Sequence, residues 1–186
     1  MKKNKILIIN LVLLFILISV YLYTMGYRLT EVEAAKVHLG VGKNAQLFEQ
    51  VNYKWGTVCL FNTPKGPRTA IAEKYMFLWK TRVAFHMTNS QDLIKTVGWA
   101  NNEKCTVYAV ESTDDNLAYI EMGSGSDRIK IYSEENEPMI FQWSKPIRWN
   151  DFNGIAYSKN GEAIYEFRYP KGNVLNISEI RWFPIK

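Results

Sequence analysis

The chain has 186 residues, 47% of them apolar and 14% aromatic, and a formal charge of +5. The positive charge does not mark a nucleic-acid binder. Three of the basic residues, Lys2, Lys3 and Lys5, precede an apolar run, and beyond them 20 Lys and Arg stand against 18 Asp and Glu, a net of +2 that is ordinary for a surface.

Residues 1–5 form a basic tail. The stretch Ile6 to Tyr23, ILIINLVLLFILISVYLY, follows without a single charge. As a helix it would reach about 27 Å, close to the roughly 30 Å of a bilayer's hydrocarbon. A transmembrane helix is therefore predicted over 6–25. The lysines in front, with only Arg28 close behind, place the tail in the cytoplasm and the C-terminal part outside the cell membrane. A secretory signal begins the same way, but the stretch Ser19 to Tyr27 carries no A-x-A pattern, and no cysteine follows for lipoprotein processing. Tyr21, Tyr23 and Tyr27 form an aromatic belt where the span leaves the lipid, so the segment reads as an uncleaved signal-anchor.

Residues 26–44 read as a stalk with a short helix. Thr30 is its N-cap, Glu33 completes a capping box, and the helix runs to about Leu39 before Gly40 or Gly42. Beyond it, about 160 residues after the span are the size of one domain with a substantial core.

From residue 45 to 186 the pattern changes to period two. Leu47, Val51, Tyr53 and Trp55 share a face interrupted by Glu49. Strands are predicted from Thr57 to Asn62, Thr69 to Trp79, Arg82 to Met87, Ile94 to Trp99, Cys105 to Glu111, Leu117 to Met122, Arg128 to Tyr132, Met139 to Trp143, Ile155 to Tyr157, Ala163 to Tyr169 and Ile180 to Phe183. Turn residues separate them, with Asn160-Gly161 the strongest hairpin signal. Short strands at this spacing argue a mainly β domain (α+β with the two helices), an antiparallel sheet or sandwich.

No local motif carries catalysis. The sequence lacks a G-x-S-x-G elbow, an H-E-x-x-H pair, a phosphate loop and a dinucleotide fingerprint. Gly123-Ser124-Gly125-Ser126 reads as a hairpin loop, and Asp114-Asp115-Asn116 as an Asx-rich turn without the ligand set of a calcium loop. His38 and His86 have no companion in sequence. No metal or cofactor is implied. Cys59 and Cys105, in strand-like runs outside the membrane, are either two buried small hydrophobes or a candidate disulfide.

The six tryptophans are the remaining resource. Trp79, inside a long apolar run, reads as core. Trp149, beside Arg148 and before a turn, and Trp99, before Ala100-Asn101-Asn102, stand at strand ends where a ring can stay exposed. Trp149, Arg148 and Trp99 are thus the candidate binding residues. The expectation is a single-pass protein of a bacterial envelope, held to the membrane by its N-terminal helix. Its β domain binds without catalysis, the partner being another envelope protein or a wall polymer. The competing expectation is an envelope hydrolase or transferase with a site assembled from scattered residues, which a deep pocket with convergent carboxylates or His86 would mark.

Overall fold

A computed structural model describes residues 2–148, 151–168 and 180–185. The chain is mainly antiparallel β with two helices. The first, α1 (Lys2–Thr24), is long and apolar enough to cross a membrane. The second, α2 (Glu31–Lys36), starts where Thr30 Oγ1 accepts the Glu33 N–H at 3.2 Å, the N-cap expected there. It stops short of Leu39, the backbone tightening where the His38 N–H donates to the Ala35 carbonyl at 3.1 Å, and the Gly40 N–H then donates to His38 Nδ1 at 3.1 Å.

Twelve strands follow among the described residues. β1 (Gln46–Tyr53), β2 (Gly56–Asn62), β3 (Arg68–Tyr75) and β4 (Leu78–His86) form a meander, sheet A. β5 (Ile94–Asn101), β6 (Thr106–Ser112) and β9 (Met139–Trp143) form sheet B. Sheet C takes β7 (Leu117–Met122), β8 (Ile129–Tyr132), β10 (Gly154–Ser158), β11 (Ala163–Arg168) and β12 (Arg181–Pro184), in the order β12-β11-β10-β7-β8.

The burial pattern orders these elements into layers. Cys59 and Phe61 of β2 pack with Ala35 of α2, whereas Val58, with Ile71 of β3, packs on Ala100 and Val107 of sheet B. Sheet A therefore lies between α2 and sheet B. Leu60 joins Val97 and Ala109 at the same A–B junction, where the layers approach so closely that a Cβ at Gly98 would lie 2.5 Å from Leu60 Cδ2. The opposite face of sheet B, with Trp99, Tyr108 and Phe141, meets Ile120, Met122, Ala156 and Phe167 of sheet C in the largest core. Strands buried on both faces read as unbroken apolar runs, as Thr57-Val58-Cys59-Leu60-Phe61 does. Among the described residues sheet C is covered on one face, and its strands alternate.

Two sequence expectations change here. The interruption at Glu49 is a β-bulge: Leu47 pairs with Phe61 and Glu49 with Leu60, leaving Phe48 as the extra residue. The long strand expected from Thr69 to Trp79 is instead broken by a tight turn at Met76-Phe77, and β4 runs back along β3, Tyr75 opposite Leu78, with one register shift between Ile71 and Ala72. Met76 takes φ +56° there, a left-handed conformation uncommon for a side chain of its size. Trp79 consequently stands near a hairpin end and only half-buried, where an interior place was expected. Its backbone pairs reciprocally with Arg28, N–H to carbonyl at 2.9 and 2.8 Å, joining the segment behind α1 to the β3–β4 hairpin.

Candidate functional site

The second face of sheet C gathers aromatic and charged side chains. Parity along each strand decides which residues reach it. In β7, Ile120 and Met122 enter the core while Tyr119 and Glu121 point outward; in β8, Ile129 and Ile131 turn inward and Lys130 and Tyr132 outward. In β10, Ala156 is inward, and Ile155 and Tyr157 share the outer face.

Register then aligns the rings. Tyr157 stands opposite Tyr119, and Tyr119 opposite Tyr132, so three tyrosines form a row across β10, β7 and β8. Tyr119 and Tyr157 stack at 4.7 Å between centroids, and Tyr119 and Tyr132 lie 5.6 Å apart, tilted. Lys130 Nζ sits 3.5 Å from the Tyr119 centroid and 5.1 Å from that of Tyr132. Tyr132, at the outer end, is 63% exposed. The next row continues the theme. Ile155 faces both Glu121 and Glu166, Glu166 pairs with Arg168, and Arg168 and Arg181 flank the Phe183 ring at 4.9 and 4.8 Å.

Such a surface suits recognition. Tyrosine supplies a broad apolar face at low cost in side-chain entropy and a hydroxyl at its rim, and cross-strand stacking holds the rings in place before a partner arrives. The interleaved Lys130, Arg168 and Arg181 add donors beside the rings. Aromatic faces with basic neighbours fit a protein hot spot or the apolar face of a sugar ring.

Arg148 and Trp99, two of the residues singled out from sequence, lie elsewhere. Arg148 is exposed, and its carbonyl accepts the Asp151 N–H at 3.0 Å. Trp149 lies outside the described residues. Trp99 is a correction: its ring is 3% exposed, edge-on to Tyr108 at 5.5 Å and to Phe152 at 5.1 Å. β5 runs on past it to Asn101, and sheet C closes over that face. The candidate disulfide is also corrected. Both thiols are free, and sheet A explains why, since Cys59 faces α2 while Cys105 lies among Val58, Ile71 and Val107 on the sheet's other side. Burial pushes the Cys59 thiol up to about 12, with Glu31 adding to it. Burial also lifts Cys105 to about 11 against the opposing pull of the Tyr53 hydroxyl and Lys104. Thiols so shifted are poor nucleophiles.

The two histidines do converge. A Cβ at Gly40 would lie 3.2 Å from both His38 Nδ1 and His86 Nε2. Partial burial, then the Arg68 guanidinium and His38, hold His86 below the ordinary imidazole range. Arg68 itself donates to the carbonyls of Pro67, Lys65 and Met87 at 2.8, 3.1 and 3.3 Å, tying off the β2–β3 turn. Among the described residues no three His, Cys, Asp or Glu side chains gather as a metal site would require. A cleft of about 350 Å³ beside β5 is lined by Asn89, Asp92, Lys95 and Arg181 among others, and His86 is not part of its wall.

No protein-family model matches the chain, and no curated protein or solved structure matches it significantly. The tyrosine row was missed in sequence because residues 119, 132 and 157 meet only through the order of sheet C. The available signal was parity, each tyrosine lying one position from an inward-facing apolar residue.

Proposed function

We propose that this chain is a single-pass, membrane-anchored binding protein of a bacterial envelope, with its N-terminus in the cytoplasm and its β domain outside. The observation that carries the binding reading is the tyrosine row with Lys130 on the outer face of sheet C. Support for anchoring comes from α1, and for orientation from Lys2, Lys3 and Lys5 ahead of it. The partner is another envelope protein or a wall polymer that lays an apolar or sugar-ring surface against the rings.

Two measurements test this reading. A cysteine introduced at Asn160, in the exposed β10–β11 turn, should react with a membrane-impermeant maleimide on intact cells, while the native thiols stay buried. Labelling only after lysis would reverse the topology. Pull-down of the full-length protein from detergent-solubilised membranes should recover a partner that is lost when Tyr119 and Tyr132 are both changed to Ala, each truncation weakening attachment by about 1–3 kcal/mol. Equal recovery with the folded double variant would remove the sheet C face from the binding site.

A further inference from the structure

A second surface lies where α1 leaves the membrane. Behind the helix the chain does not trail off into a free linker. Gly26 turns it at φ +85°, and Arg28 pairs at once with Trp79 of β4. Arg28 Nη1 also donates to the carbonyls of Tyr23 and Tyr27 at 2.8 and 2.7 Å, and its guanidinium lies 3.9 Å from the Tyr23 ring centroid. These contacts bring the tip of the β3–β4 hairpin alongside the last turns of α1.

That tip carries the side chains a water-facing turn avoids. Met76 is 87% and Phe77 69% exposed, and nearby Leu29 is exposed as well. Met76 holds its left-handed φ where Gly or Asn is the usual choice. Between tip and helix lies an open cleft of about 720 Å³, its walls including Phe15, Ile18 and Leu22 of α1 and Phe77 and Leu78 of the hairpin. Phe15 precedes Tyr23 by about 12 Å of helix, well inside the apolar run. The hairpin therefore flanks part of the helix that a bilayer would enclose.

Around this apolar zone the side chains change to aromatic and basic. Lys80 Nζ lies 4.7 Å from the Tyr27 ring and Lys74 Nζ 5.5 Å from Trp79, while Tyr27 meets Tyr75 edge-on at 5.8 Å. Lys36 and Lys43 stand at the cleft, with Glu33 the one acidic residue in its wall. Apolar tip, ring belt and cationic rim, in that order, match the sequence of hydrocarbon, interface and anionic headgroup that a membrane presents.

We propose that the β3–β4 hairpin tip, Met76 and Phe77 with Leu29, inserts into the leaflet that α1 exits, and that Lys74 and Lys80 engage anionic phospholipid headgroups. Lipid acyl chains fill the cleft between hairpin and helix. The domain thus has a second membrane contact besides its anchor. This rests on the reading of α1 as a membrane span, and the test separates the two.

Full-length protein is reconstituted into vesicles of phosphatidylcholine and phosphatidylglycerol, with a nitroxide attached in turn at Met76→Cys, Phe77→Cys, Leu17→Cys and Asn160→Cys. Collision with oxygen is compared with collision with a water-soluble nickel chelate. The expected result is an oxygen-to-nickel ratio at 76 and 77 several-fold above that at 160 and approaching that at 17. A hydrocarbon signal at 17 with aqueous signals at 76 and 77 would overturn the inserted hairpin while leaving the span intact. An aqueous signal at 17 would overturn the span itself, and the insertion with it. In the Lys74→Glu, Lys80→Glu double variant the label at 76 should become shallower. An unchanged depth there would overturn the headgroup assignment.

Discussion

Sheet C carries aromatic rings on both faces, and the two sets behave as opposites. Against the inner face, Phe152, in the segment just before β10, sits at the centre of an edge-to-face cluster, 5.1 Å from Trp99, 5.1 Å from Tyr108 and 5.6 Å from Trp143 of sheet B and 5.9 Å from Phe167 of sheet C. On the outer face, Tyr157, Tyr119 and Tyr132 form a row, the first two stacked and the third tilted, with its Tyr132 end open to solvent. The chemistry of the rings is nearly the same. Within a strand, one residue of register separates a side chain buried in the core, as Ile120 is, from one on the outer face, as Tyr119 is, because successive residues face opposite ways.

The sharpest way to break this contrast is at the cluster's centre. Phe152→Ala should destabilise the protein by about 3–5 kcal/mol in chemical denaturation, since a large ring is deleted from a cavity that its neighbours cannot refill. Tyr132→Ala, on the other face, should cost less than about 0.5 kcal/mol in the same assay, as exposed substitutions usually do. Comparable losses at the two positions would mean that the outer row is structural.

The turn joining β10 to β11 offers a smaller effect that separates the row from the rest of the sheet. Gly161 takes φ +82°, so Gly161→Ala should destabilise by about 1–2 kcal/mol, the cost of a left-handed conformation for a residue with a Cβ. Partner binding by the folded fraction should be unchanged, because Tyr157 meets Tyr119 across the β10–β7 pair and not across that turn. A parallel loss of binding would show that the row depends on the whole sheet.

The smallest effect concerns Tyr75, a tyrosine whose hydroxyl is already engaged. It donates to Glu73 Oε2 at 2.7 Å, and this bond is the largest single cause that, with Lys104 and Arg82 and against partial burial, holds the Glu73 carboxyl below its ordinary value of 4.5. The folded state then binds this proton less readily than the unfolded chain does. Its contribution to stability is present above pH 4.5 and is lost as pH falls from there through the lowered native value. Tyr75→Phe should flatten that part of the acid-unfolding curve slightly, the group being screened by solvent. An unaltered slope would assign the acid sensitivity to other carboxylates.

Much of the β framework was legible because the chain's alternation and turn chemistry agree. Leu117–Met122 and Met139–Trp143 match their predicted limits, and Asn160-Gly161 lies in the β10–β11 hairpin turn, with Gly161 at positive φ. Where reading failed, a local signal was missing. Nothing in Met76-Phe77 announces a turn, so the start of β4 was read as the end of the strand from Thr69, the rest of β4 as a separate strand from Arg82, and Trp79 was placed in the core. Trp99 precedes an Asn pair that looks like a strand's exposed end, yet what covers the ring is sheet C, contributed by residues far along the chain. The tyrosine row depends on β10 pairing with β7 and β7 with β8, an order that spacing alone does not encode. Burial on both faces of sheet A, which keeps Cys59 from Cys105, is likewise a property of layers and not of neighbours.

The reciprocal Arg28–Trp79 pair bears on how far the domain can search. A flexible tether lets a module sweep a volume set by linker length and meet targets at varied heights. Here the domain is fastened within four residues of the end of α1. On the proposed reading, a partner must come to a fixed height above the bilayer, so encounters would be confined to a thin sheet of space. Within that sheet the effective concentration of a membrane-held or wall-fixed partner would be high, and beyond it the protein would have no reach.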